Sequence, residues 1–231
     1  MRTPARLAIG LLTALYANGA WAADSICHGT PSNGRLEHGV ALPTSGSNFR
    51  PYSRLGVTLG RTHVHARVER AVTAAYAVLA RSTPDVVYVY GETGWPRGGR
   101  FKPHRTHQNG LSVDFMVPVR DTAGRSVPLP TDPGNKYGYA IEFDAQGRFG
   151  DLRIDFEAIS EHLRRLHEAA RAQGIGIERV IFDPAYLPRL HATTHGAYLR
   201  RNIRFMQRQA WVRHDEHYHA DFTTPCQPMP N

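Results

Sequence analysis

Two short windows of the sequence concentrate residue types that bind metal ions and transfer protons. The first window reads H-R-T-H-Q-N-G-L-S-V-D and the second reads H-D-E-H-Y-H. Five of the thirteen histidines fall in these windows. The candidate functional residues are His104, His107, Asp114, His214, His217 and His219. The remaining histidines are interpreted as ordinary surface or core residues.

Two imidazoles and one carboxylate form a ligand set that is typical of catalytic zinc sites, where water takes the fourth position. Zinc lowers the pKa of that water towards about 7 and polarises a carbonyl group. A further histidine can act as general base, because its unperturbed pKa of about 6.5 suits neutral pH. His219 and His217 fit the roles of ligand and base. His104 and His214 are then expected to orient ligands or, when protonated, to stabilise an oxyanion.

The predicted strands bring these residues together. Alternating side chains predict a strand over residues 111–119, with Asp114 within it. His107 precedes that strand and is separated from it by a glycine turn, so the two side chains can converge on one point. A last short strand is predicted over residues 217–222, and it places both histidines of H-Y-H on the same side.

The rest of the chain predicts a single α+β domain over residues 23–231. Its sheet is expected to be small and antiparallel, to carry the zinc site, and to be flanked by helices and long loops. Other predicted elements are helices over 64–80 and 156–173, the second capped by Asp155, and strands over 86–90 and 179–183. The second helix is expected to carry His162 and His167 on its polar side. Residues 120–153 contain several prolines and glycines and predict a long surface excursion near a cleft.

The N-terminus predicts export. Residues 1–22 combine two arginines, an apolar run and A-W-A, which is the pattern of a secretory signal peptide cleaved near Ala22. The apolar run is shorter than the roughly 20 residues of a membrane span, so no membrane anchor is expected. An oxidising compartment then favours a disulfide between Cys27 and Cys226, the only two cysteines.

The charge indicates an anionic partner. The formal net charge is +8 and the isoelectric point is near 9.9, while apolar residues make up an ordinary 41%. This composition argues against a disordered or fibrous protein. Nucleic acid is not the expected partner, because the chain is exported and has no recognisable nucleic-acid-binding motif. An anionic polymer of the cell envelope is favoured.

Three segments carry a resemblance to a known family. They are G-E-T-G-W-P-R-G-G-R-F-K-P-H-R-T-H-Q-N-G-L-S-V-D-F at 91–115, H-D-E-H-Y-H-A-D-F at 214–222 and A-L-P-T-S-G at 41–46. These segments resemble the penicillin-insensitive murein endopeptidases, which belong to the zinc peptidase group of the lysostaphin-type and D-Ala-D-Ala-cleaving enzymes. The family pattern H-x-x-H-x(6)-D followed by H-x-x-H-x-H is complete in this sequence.

The resemblance implies a periplasmic zinc peptidase that cuts peptide cross-links in peptidoglycan, typically between D-alanine and meso-diaminopimelate. It implies that His107, Asp114 and His219 bind zinc, that His217 acts in catalysis, and that His104 and His214 support the site. One alternative is a D,D-carboxypeptidase or dipeptidase of the same group. Another is a secreted, non-enzymatic metal-containing protein that binds an anionic polymer.

Two aromatic residues near these windows have two interpretations. Trp95 lies in the glycine-rich segment before the first window, and Tyr218 lies between two histidines of the second. Both are candidates for the wall of the cleft. The alternative is that they pack beneath the loop.

Overall fold

The structure is a computed structural model that describes residues 24–230. The signal peptide predicted over residues 1–22 lies outside the described residues. The described part of the chain contains five α-helices: α1 (Arg54–Thr58), α2 (Ala66–Ser82), α3 (Phe156–Ala172), α4 (Leu187–His191) and α5 (Gly196–Asn202).

The same residues form thirteen β-strands, most of them short. They are β1 (Ile26–Thr30), β2 (Asn33–Glu37), β3 (Val40–Ala41), β4 (Phe49–Pro51), β5 (His63–Val64), β6 (Tyr88–Tyr90), β7 (Ser112–Met116), β8 (Val119–Arg120), β9 (Ser126–Val127), β10 (Arg148–Phe149), β11 (Leu152–Ile154), β12 (Gly176–Ile181) and β13 (His217–Thr223). This mixture of helices and sheets confirms the predicted α+β class.

The central sheet has five strands in the order β12-β13-β7-β6-β4. The pairs among β12, β13, β7 and β6 are antiparallel, as predicted, but β4 pairs with β6 in parallel. Strand β4 reaches this edge because the ring of Phe49 stacks on Tyr76 of α2, with centroids 4.4 Å apart. A parallel neighbour therefore completes a sheet that is otherwise antiparallel.

Helices α2 and α3 pack against each other and bury their apolar stripes in the core. Helix α3 begins where the sequence predicts, because the Asp155 carboxylate accepts a hydrogen bond from the Ala158 amide at 3.0 Å. This bond satisfies one of the amide groups that the first turn leaves without a partner.

The predicted place of His162 and His167 on the polar side of α3 is wrong, because both are buried. Tyr218 Oη lies 2.6 Å from His162 Nδ1, and burial lowers the pKa of His162 to about 3. His167 Nδ1 lies 2.8 Å from Tyr198 Oη. Each imidazole is thus a neutral core residue with a tyrosine partner, which a helical period cannot reveal.

The excursion predicted over residues 120–153 is partly ordered into strands. Strands β10, β11, β8 and β9 form a second sheet, in that order. The segment between β9 and β10 crosses to the central sheet and reaches the candidate site described below. We call its residues 134–143 the covering loop.

A disulfide joins Cys27 of β1 to Cys226 beyond β13, which confirms the predicted pair. The bond ties the N-terminal hairpin β1–β2 to the C-terminal segment, where the Gln227 amide also donates to the Cys27 carbonyl at 2.8 Å. Among residues 24–230, no helix is long and apolar enough to cross a membrane.

Candidate metal centre

Two neighbouring strands of the central sheet supply the core of the site. Asp114 of β7 pairs directly with His219 of β13 in the antiparallel register. Successive side chains of a strand point to opposite faces, so His217 and His219 share the face of Asp114. Tyr218 points to the opposite face and is buried beside Phe115. It therefore packs in the core and does not form the wall of the cleft.

His107 enters from the loop before β7 with a φ of 68°. This left-handed backbone conformation is uncommon for a residue with a Cβ and is found often at functional sites. The ring is fully buried, and Nδ1 lies 3.2 Å from the Thr93 carbonyl oxygen. A carbonyl only accepts, so Nδ1 carries the proton and Nε2 of the neutral ring is bare.

The unpaired Nε2 of His107 indicates a site for a cation. His107 Nε2 is buried without a hydrogen-bond partner and lies 3.3 Å from Asp114 Oδ1. Both atoms are acceptors when the imidazole is neutral, and burial lowers the pKa of His107. A metal ion would give His107 Nε2 the partner that it lacks, and imidazole and carboxylate are both zinc ligands, so these residues fit a metal.

His219 brings a ring nitrogen to the same carboxylate oxygen of Asp114. Its Nδ1 lies 2.8 Å from Asp114 Oδ1, and its Nε2 lies 2.7 Å from Asp221 Oδ1. Asp221 is itself held by Ser112 and Arg179 at 2.7 and 2.6 Å. Such a carboxylate fixes the ring of a histidine ligand and raises its basicity.

The Asp114 carboxylate is ionised at neutral pH, because its neighbours lower its pKa. Burial raises the pKa, but the neighbouring imidazoles lower it more, so that it lies well below its usual range. Burial lowers the pKa of His219, whereas Asp221 and Asp114 raise it to about 10. Metal binding at Nδ1 therefore has to displace a proton from that ring.

His104 lies on the other side of Asp114. Ligand atoms of His104, His107 and Asp114 all lie within 4.8 Å of one another, so this group can also hold a metal ion. His104 Nε2 donates to Glu92 Oε2 at 2.7 Å, so Nδ1 is the ring nitrogen that it could offer to a metal. Its Nδ1 is 3.6 Å from Asp114 Oδ2.

His217 and His214 complete the cluster, with ring centroids 4.6 Å apart. His217 Nδ1 lies 2.8 Å from Glu216 Oε1, and its Nε2 lies 4.0 Å from Asp114 Oδ1. The structure thus brings all six predicted residues into one contiguous cluster.

His214 differs from the expectation of a protonated group. Burial and the neighbouring His217 lower the pKa of His214 to about 4, so its ring is neutral at pH 7. Its Nδ1 lies 2.9 Å from the Val212 carbonyl oxygen and therefore donates to it. The other ring nitrogen of His214 is left as an acceptor.

Sequence reasoning missed four residues that hold the site. Three are the carboxylates of Glu92, Glu216 and Asp221, and the fourth is Tyr139 of the covering loop, whose Oη lies 3.4 Å from His104 Nδ1. Glu216 and Asp221 stand beside the histidines in the sequence, so their acidic character was a usable signal. Glu92 lies in the segment 91–115 that carries the resemblance, but its spacing from His104 does not mark it as a partner, and Tyr139 comes from a segment with no local pattern that points to the site.

The Trp95 ring packs against the buried Arg61 guanidinium and the Phe101 ring, not against the histidines of the cluster. The Arg61 guanidinium lies 4.8 Å from the Trp95 ring centroid and 4.1 Å from that of Phe101, and it pairs with Glu92. This arrangement corresponds to packing beneath the loop. It also fixes Glu92, the partner of His104.

The cluster is nearly closed to solvent. A cleft beside it has a volume of about 10 Å³, which is room for roughly one water molecule, and Tyr137 of the covering loop lines it. A groove of about 1000 Å³ lies next to this cleft and shares Tyr52, Ser53 and Lys136 with it. The A-L-P-T-S-G segment contributes Thr44, Ser45 and Gly46 to the groove.

The family model for penicillin-insensitive murein endopeptidases matches residues 27–229. The chain belongs to this family. The match covers both histidine windows and nearly all of the described residues, and it confirms the resemblance. No curated protein gives a match to the chain.

Membership in the murein endopeptidase family makes the chain a metallopeptidase hydrolase that acts on murein. The interpretation as a non-enzymatic metal-containing protein is not supported. The cluster around Asp114 is the part of the structure whose chemistry fits this activity, because it contains both a metal ligand set and histidines beside it.

Proposed function

We propose that the chain is a periplasmic zinc endopeptidase that hydrolyses the peptide cross-link between D-alanine and meso-diaminopimelate in peptidoglycan. The observation that carries this proposal is the bare, buried Nε2 of His107, which faces Asp114 Oδ1 where His219 Nδ1 also points. The proposed ligands are these three residues. The predicted signal peptide and the disulfide support the location, since disulfides persist in the periplasm.

A zinc ion held by such ligands supplies Lewis acidity, which polarises a peptide carbonyl and makes water a stronger acid. The chain's own residues do the rest. His217 donates from Nδ1 to Glu216, which leaves Nε2 free, 4.0 Å from Asp114 Oδ1, and His217 lines the small cleft. We assign His217 the role of general base, which takes a proton at Nε2 from water and returns it to the leaving amine.

His104 and His214 support the reaction in different ways. Glu92 fixes the ring of His104, and this ring presents Nδ1 to the site. His214 packs against His217 and is neutral, so it restricts that ring rather than contributing a positive charge. Both remain proposed site residues, with His214 in a packing role.

The groove beside the cleft supports a polymeric substrate. Hydroxyl groups of Thr44, Ser45 and Ser47 and the basic side chains of Arg50 and Arg54 line it. A peptidoglycan strand offers both hydroxyl groups and stem-peptide carboxylates, which are partners for these side chains. The net positive charge of the chain acts in the same direction.

The proposal is tested by digesting cross-linked sacculi and identifying the released muropeptides by mass spectrometry. The wild-type protein should release monomeric muropeptides, and His107→Ala and Asp114→Ala should not. His195→Ala serves as the matched control, because His195 pairs with Glu161 of α3 instead of a site residue. Release of free D-alanine with intact cross-links would favour the carboxypeptidase instead.

A further inference from the structure

Hydrogen-bond donors are scarce around the proposed zinc site. His107 donates from Nδ1 to the Thr93 carbonyl oxygen, and His214 donates from Nδ1 to that of Val212. His104 Nε2 is hydrogen-bonded to the Glu92 carboxylate. Peptide hydrolysis develops negative charge on the carbonyl oxygen, and donors aimed at that oxygen stabilise it. His104 and His214, which were expected to supply such a donor, donate their ring N–H groups to Glu92 and Val212 instead.

The cationic side chains that line the cleft are also engaged. The Arg61 guanidinium donates to Glu92 and, at 2.9 Å, to the Lys102 carbonyl oxygen. The exposed Lys136 places its ammonium 5.1 Å from the Tyr137 ring centroid. Neither side chain forms a hydrogen bond or an ion pair with Asp114 among the described residues.

Tyr139 does bring a donor to the site. Its hydroxyl lies 3.4 Å from His104 Nδ1, and its ring centroid lies 6.1 Å from that of His217. His104 Nδ1 is in turn 3.6 Å from Asp114 Oδ2. The Tyr139 hydroxyl and the Asp114 carboxylate thus both lie near the same ring nitrogen of His104.

The loop holds Tyr139 in this place. Asn135 Oδ1 accepts from the Ala140 amide at 3.0 Å, and the Phe143 amide donates to Asp215 at 2.6 Å. Ile141 and Phe143 are buried in the core. Burial, and then the nearby Asp114 and Glu216 carboxylates, raise the pKa of Tyr139, so the phenol keeps its proton.

We propose that the Tyr139 hydroxyl donates a hydrogen bond to the scissile carbonyl oxygen as negative charge develops on it. Tyr139 is then a further catalytic residue, and the inference rests on the proposed function. In the free enzyme the hydroxyl uses His104 Nδ1 as a weak acceptor at long range. During hydrolysis it exchanges this acceptor for an anionic oxygen, to which hydrogen bonds are stronger.

The test compares Tyr139→Phe with Tyr198→Phe. The control removes the same hydroxyl from a second tyrosine-histidine pair, Tyr198 with His167, on helices α5 and α3. On a soluble cross-linked muropeptide dimer, Tyr139→Phe should lower kcat about 100-fold with little change in KM. Tyr198→Phe should retain wild-type kcat.

Binding supplies a second readout. A phosphinate analogue of the scissile dipeptide resembles the tetrahedral transition state, and calorimetry should show about 100-fold weaker binding to Tyr139→Phe than to wild type. Zinc content and the thermal midpoint should be unchanged. A wild-type kcat, a change in KM alone, loss of zinc, or unaltered analogue binding would each overturn the role of Tyr139.

Different results would contradict the proposed endopeptidase activity and the proposed role of Tyr139. An inactive wild-type protein with zinc bound would contradict the proposed function and the inference together. An active wild type beside an equally active Tyr139→Phe would contradict only the role of Tyr139.

Discussion

Each imidazole of the metal centre is fixed through one ring nitrogen, which decides what its other nitrogen can do. Thr93 holds His107 through a carbonyl, whereas Asp221 and Glu216 hold His219 and His217 through carboxylates. A carbonyl leaves a neutral ring with a good ligand nitrogen. A carboxylate in addition raises the basicity of the ring, which suits both a ligand and a base.

Removing the carboxylate behind His219 should weaken the metal centre. In Asp221→Asn the charge that polarises His219 is lost, and we expect zinc affinity to fall about 10- to 100-fold. Competition with a chromogenic chelator measures this. Ser112→Ala is the matched control, because it removes one hydrogen bond to Asp221 and leaves the charge in place. Equal zinc affinity in Asp221→Asn and wild type would contradict this role.

The buried His162 should make folding sensitive to acid. Burial lowers its pKa to about 3, whereas the unfolded chain has the ordinary value near 6.5. Between these values the unfolded state binds a proton that the folded state does not. Stability is therefore complete above pH 6.5 and falls by about 1.4 kcal/mol per pH unit below it.

Urea unfolding at pH 7 and pH 5 measures this effect. His162→Phe removes the titrating group, so its loss of stability between the two pH values should be smaller than that of wild type by about 2 kcal/mol. An equal pH dependence in both proteins would show that His162 does not titrate in this way.

At the scale of the elements, strand periodicity explains why the site was largely predictable. Asp114 and the H-Y-H histidines lie on predicted strands with a period of two, and the observed register places Asp114 opposite His219. Tyr139 was not predictable, because a loop outside both histidine windows brings it in, and Glu92 was missed because its spacing from His104 follows no strand or helix period. The parallel strand β4 escaped prediction for a similar reason, since tertiary packing on α2 positions it.

Hydrogen bonds from Tyr52 help to hold the covering loop and the segment before it in place. Tyr52 Oη donates to the Pro130 carbonyl at 2.7 Å and lies 3.2 Å from the Asn135 carbonyl oxygen. Tyr52→Phe should loosen the loop by about 1 kcal/mol. Hydrogen exchange at the amides of Gly138 and Ile141, which bond within the loop, should become faster.

Exchange in helix α2 is the internal control for this variant, because α2 belongs to the core and not to the loop. Unchanged exchange at the loop amides would show that Tyr52 is not an anchor. Faster exchange throughout the protein would instead show that the substitution destabilises the whole fold.

At the scale of the whole molecule, the disulfide joins the two ends of the domain. Cys27 and Cys226 are 199 residues apart, so the bond removes a large amount of conformational freedom from the unfolded chain. A Cys27→Ser, Cys226→Ser double variant should lose about 2–5 kcal/mol of unfolding free energy. Its zinc content should stay at the wild-type level, because neither cysteine is a ligand. Equal urea midpoints for the two proteins would contradict the prediction.

The net positive charge and the groove beside the cleft also act at this scale. We propose that both favour the binding of an anionic polymer, whereas neither specifies the bond that is cut.

We propose that zinc held by His107, Asp114 and His219 drives the cutting of murein cross-links. The most direct measurement is mass spectrometry of sacculi digested by protein that has been stripped of metal and then reloaded with zinc. Monomeric muropeptides should appear only after zinc is restored, and His107→Ala should release none under either condition. Release of monomers by the metal-free protein at the wild-type rate would show that zinc does not drive the reaction.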